Sequence, residues 1–97
     1  MLQFLIRPNE EQWFSVPANS LATVCMPQCV AAEPSGNGEG DYCFMIGAVE
    51  VACSYEDPGL HIVFDGEIER ALAHQVVEEI LANVTRITGQ AGRVVLL

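Results

Sequence analysis

The residues of this sequence best suited to chemistry are its four cysteines and two histidines. Cys25, Cys29, Cys43 and Cys53 are separated by three, thirteen and nine residues. Structural zinc sites and dithiol redox sites draw on close pairs such as C-x2-C. Here only Cys25 and Cys29 are close, and Pro27 lies between them. An even cysteine count permits a disulfide framework, but nothing in the sequence points to secretion. The preferred reading is buried thiols acting as small hydrophobes. A small-ligand or metal-binding domain using Cys and His residues is the alternative. His61 falls in a strand-like stretch, and His74 on the polar side of a helical one. Neither belongs to an H-E-x-x-H, G-x-S-x-G or C-x-x-C motif. Cys53 and His61 form a Cys–His pair that folding could assemble. No catalytic residue, cofactor or metal ligand is assigned.

Carboxylates come in pairs at Glu10/Glu11, Glu56/Asp57, Glu67/Glu69 and Glu78/Glu79. General acid–base work needs one carboxyl partly buried with a raised pKa. These pairs fall in turns or on the polar side of a helix, where water keeps them ionised. Glu50 differs, because Val49 and Val51 flank it in mid-strand, and it is expected on an open sheet face. A divalent ion at Glu39, Asp41, Glu56 or Asp57 would lack the spacing of a calcium loop.

Thirteen acidic residues face only four basic ones, all arginine, for a formal net charge of −9. Such a surface repels nucleic acid and anionic membrane and suits a basic partner, or solubility alone. No apolar run approaches the roughly 20 residues of a membrane span. The N-terminus has no basic region ahead of its apolar stretch, so a cytoplasmic location is expected.

Positioning these side chains falls to an α+β domain over residues 1–97. Its expected form is a mostly antiparallel sheet of five to six strands. One long C-terminal helix packs on one face, followed by a short final strand. Strands are expected at 2–7, 12–16 and 21–26, with 29–32 resuming the third. A short helix capped by Asn19 or Ser20 is the alternative for 21–26. Residues 33–41, rich in Gly, Pro and acids, form an exposed loop. Residues 42–55 alternate as a strand does, but the apolar phase shifts across Gly47. The shift means either a bulge or two strands with a tight break. Glu56-Asp57-Pro58-Gly59 is a turn into a strand at 60–64. Leu72, Val76, Ile80, Val84 and Ile87 then make one apolar stripe of a helix over 66–88, capped by Asp65 or Gly66 and ended by Gly89. Residues 93–97 close the fold as a strand running parallel to 60–64.

The functional expectation is a small acidic, non-enzymatic protein-interaction domain. Its physical profile is that of an inhibitor or immunity-type protein for a basic partner. The contact residues would be Glu50, Glu56, Asp57, Glu78 and Glu79, with Trp13 as an aromatic anchor. A self-associating module is compatible with this, because 51% hydrophobic residues leave apolar surface that a homodimer could bury.

Overall fold

A computed structural model describes residues 1–35, 40–56 and 59–97, with only the backbone described at Ala18 and Glu56. Its centre is a six-stranded antiparallel sheet. Strands β1 (Leu2–Pro8), β2 (Glu33–Pro34), β3 (Tyr42–Ile46), β4 (Val49–Glu56), β5 (Gly59–Asp65) and β6 (Gly92–Leu96) lie in the order β2-β3-β4-β5-β1-β6. Helices α1 (Leu21–Cys25) and α2 (Arg70–Thr88) cover one face. That face carries alternate strand residues, including Phe4, Ile6, Phe44, Val51, Leu60, Ile62 and Phe64. They meet Ala73, Val76, Val77, Ile80 and Val84 of α2, all without solvent exposure. Each Val, Leu, Ile or Phe among them contributes about 1.5–3 kcal/mol through burial, and Ala73 less.

The phase shift at Gly47 resolves into two strands. Gly47 and Ala48 join β3 to β4 as a two-residue hairpin turn closed by the Ile46–Val49 pair. Gly47 has φ +58°, and among the described residues only glycines have positive φ, so the first turn position takes the conformation glycine tolerates best. The closing strand runs in the same direction as β5, but β1 lies between them and pairs antiparallel with both.

Five expectations are corrected. Glu33–Pro34, expected at the start of an exposed loop over 33–41, form strand β2 against Met45 and Phe44 of β3, and residues 36–39 of that loop lie outside the described residues. Residues 12–16 do not form a strand. Side chains satisfy this backbone in place of a ladder. The Gln90 carboxamide accepts from Ser15 N–H (2.7 Å) and donates to the Trp13 carbonyl (3.0 Å). The Tyr55 hydroxyl accepts from Val16 N–H (3.2 Å) and donates to the Phe14 carbonyl (3.4 Å). Residues 21–25 are helical, which is the alternative given for them, although Ser20 makes no side-chain cap. Leu21, Val24 and Cys25 fall on one helical face and join the core. Residues 29–32 stay outside the sheet, because the Gln28 and Cys29 N–H groups bond to Glu79 instead of a strand. Finally, α2 starts at Arg70 rather than 66, with Glu69 at its N-cap. Asp65 is still paired with Glu50 in the sheet, and Gly66 at φ +134° turns the chain against Val49 before a helix can begin. Gly89 ends the helix in the left-handed conformation, with its N–H on the Thr85 carbonyl at 2.8 Å.

Candidate functional site

The second face of the sheet carries the other half of each alternation. Leu5, Ala52, Val63 and Val95 sit there half-buried, outside the main core cluster. Around this apolar middle the register sorts charge by sign. At one end Glu50 of β4 pairs directly with Asp65 of β5. Met45 lies on the other side of Glu50, and Glu33 beyond it, so three carboxylates share one row. At the opposite end Arg7 of β1 pairs directly with Arg93 of β6, and both are exposed. The two ends are roughly 20 Å apart, at about 3.4 Å per residue. Like charges placed directly across a strand pair destabilise a sheet. This face therefore holds one acidic and one basic arrangement that folding alone disfavours.

The residues expected to contact a partner are dispersed. Glu50 is on the open face and half-buried. Its charge acts on neighbouring Cys43, whose thiol is pushed up by burial first and by Glu50 second. Glu78 is exposed on α2, on the helical side of the molecule. Glu79 is held within the fold, accepting from Gln28 N–H at 2.6 Å and from Cys29 N–H at 3.0 Å. Partial burial pushes its carboxyl up, but the Cys29 thiol and these two N–H groups outweigh that and hold it below its ordinary value. The side chain of Glu56, and Asp57 altogether, lie outside the described residues. Trp13 stands at the arginine end of the sheet, 49% exposed, with its ring centroid 6.4 Å from that of Tyr55. Sequence reasoning missed Glu33, Asp65, Arg7 and Arg93. Strand alternation placed each on a face, but only the register makes them neighbours.

Cys53 and His61 do not come together as a pair. Cys53 points into the core on the helix-covered face, whereas His61, next in register on β5, lies on the open one. His61 Nε2 is 3.0 Å from Gln3 Oε1, and His74 packs edge-on against Phe4 with centroids 4.9 Å apart. All four cysteines are thiols, and Cys25, Cys43 and Cys53 are buried while Cys29 is exposed. A hydrogen bond to Cys25, then burial, pushes Cys53 well above an ordinary thiol, which favours an inert packing role. Asp41 accepts from Tyr55 N–H at 2.7 Å and so braces β4. Among the described residues no group of three or more His, Cys, Asp or Glu is placed to hold a metal ion. Among the described residues no helix is long and apolar enough to cross a membrane.

Compared with models of known protein families, with curated proteins and with solved structures, the chain matches none of them.

Proposed function

We propose that this chain is a non-catalytic protein-interaction domain that docks a basic protein partner through the acidic end of its open sheet face. The observation that carries the reading is the row formed by Glu33, Glu50 and Asp65, in which Glu50 and Asp65 are direct cross-strand partners. A cationic side chain bridging those two carboxylates would relieve a repulsion that the free domain bears. Met45, Ala52 and Val63 beside the row supply apolar surface that a partner can dehydrate. The net charge of −9 would steer such a partner from a distance. An inhibitor or immunity-type protein acting on a basic enzyme has these properties.

The test is affinity capture from the native cell with the wild-type chain, a Glu33→Lys/Glu50→Lys/Asp65→Lys variant and Glu78→Lys on the helical side. A specific basic protein should be retained at low salt by wild type and Glu78→Lys, released by high salt and lost by the triple variant. Equal retention by the triple variant would sink the proposal.

Opposite charges at the two ends of one face also favour a second reading, self-association. A two-fold axis in the interface would set the arginines of one copy against the acids of the other. Sedimentation showing only monomer at high micromolar concentration would remove it.

A further inference from the structure

The arginine end of the sheet opens into a cleft of about 440 Å³ lined by Arg7, Arg93, Trp13 and the turn residues Glu10, Glu11 and Gln12. That volume lies within the range of small-ligand sites. We propose that this cleft binds a small zwitterion, a carboxylate with a nearby ammonium group, as carried by an amino acid or a short peptide.

Three observations converge on this chemistry. First, Arg7 and Arg93 are direct register partners, and among the described residues neither guanidinium has an ion-pair partner. The chain has four Arg and no Lys, so half of its arginines are brought together here in a protein of net charge −9. Two adjacent guanidinium forks match the two oxygens of a carboxylate, and one bound carboxylate would remove their mutual repulsion. Second, Glu10 and Glu11 line the same cleft. They disfavour a phosphate dianion or a nucleic-acid backbone, and they favour a ligand that also carries a positive group. Third, the aromatic wall is preorganised. The Gln90 side chain clamps the Trp13 carbonyl and Ser15 N–H, and Asn9 N–H donates to the Ala91 carbonyl at 3.1 Å. Both ends of the turn are thus tied to the segment joining α2 to β6, and Trp13 leans on Tyr55. An indole face held in this way offers apolar contact and attraction for an ammonium group.

Trp13 is the only tryptophan in the chain, so its fluorescence reports directly on the cleft. The experiment titrates the full chain with single amino acids, with unmodified tripeptides, with the same tripeptides amidated at the C-terminus, and with inorganic phosphate. A saturable change with amino acids or with unmodified tripeptides is expected, and which of the two binds tighter identifies the source of the zwitterion. Amidation should weaken tripeptide binding about tenfold, the loss expected for one charge-assisted contact. Arg7→Gln and Arg93→Gln should each weaken binding similarly while the melting temperature holds or rises, because each removes a like-charge neighbour. A purely structural role for the arginines would instead lower the melting temperature. Absence of a saturable signal, supported by unchanged amide chemical shifts at residues 7–13 and 93, overturns the proposal. So does binding that survives Arg93→Gln, or phosphate binding as tight as that of the zwitterions. The acidic row lies at the far end of the face, so loss of this site leaves the docking proposal standing.

Discussion

Removing the carboxylate of Glu79 should cost far more stability than removing that of its neighbour Glu78. Glu79 bridges α2 to the segment after α1, accepting two backbone N–H groups about fifty residues away in sequence. Beside it Asn83 donates to the Val24 carbonyl at 3.0 Å, so two side chains of α2 hold the end of α1 and the chain that follows. A hydrogen bond to a charged group contributes about 1.5–3 kcal/mol when sheltered and less when wet. Both bonds to Glu79 are solvent-accessible, so Glu79→Ala should cost about 2 kcal/mol in total. For a domain of this size that lowers the melting temperature by about 8–16 °C. Glu78→Ala, exposed and without a hydrogen bond among the described residues, should stay within about 0.5 kcal/mol. Glu79→Gln keeps one acceptor oxygen and should fall between the two. The dependence on pH has a fixed sign. The Glu79 carboxyl is held below its ordinary value in the folded protein. Its contribution is therefore fully present above the unfolded glutamate pKa of about 4.3 and is lost as pH falls through the lower folded value. The gap between wild type and Glu79→Ala should be full at neutral pH and close in acid. Chemical denaturation of the three variants at neutral and acid pH measures this. Equal stability of Glu79→Ala and Glu78→Ala at neutral pH would refute the bridge.

Two further perturbations test the packing. Gly59 opens β5 where a Cβ would overlap the Ile6 backbone carbonyl of β1, so Gly59→Ala should push β1 away from β5 and cost about 3 kcal/mol or more, read as a lost or sharply lowered thermal transition. Titration with a thiol reagent should modify Cys29 alone in the folded protein and all four cysteines in denaturant. The Cys29 rate should be slower than that of a model thiol, because burial first and Glu79 second push its pKa up.

The long helix and the sheet were legible because their signals are periodic. Val76, Ile80 and Val84 repeat at helical spacing, and residues 49–55 alternate, so core faces follow from pattern alone. The segments that were misread have their conformation set from a distance. Val16 and Ser15 look strand-like, yet their N–H groups are taken by Tyr55 and Gln90, 39 and 75 residues further on. Asp65 resembles a helix cap until its pairing with Glu50 holds it in the sheet for one residue more. The candidate site was less legible for the same reason. Arg7 and Arg93 lie at opposite ends of the sequence and meet only because β1 enters the sheet between β5 and β6. Polarity along the chain places Glu79 on the wet side of α2 but does not show the two backbone N–H groups it accepts.

Register also bears on why the chain is so acidic. If solubility were the whole reason, the charges could lie anywhere exposed, and alternating their signs across the sheet would stabilise it. The open face does the reverse. Glu50 faces Asp65 at one end, Arg7 faces Arg93 at the other, and no cation of β1 or β6 stands opposite an acid of β4 or β5. Exchanging Asp65 and Arg93 would convert both repulsive pairs into attractive ones at no change in net charge. A fold that keeps the unfavourable arrangement at two places on one face gives up stability there. Bound groups of opposite charge at each end, as proposed above, would restore it.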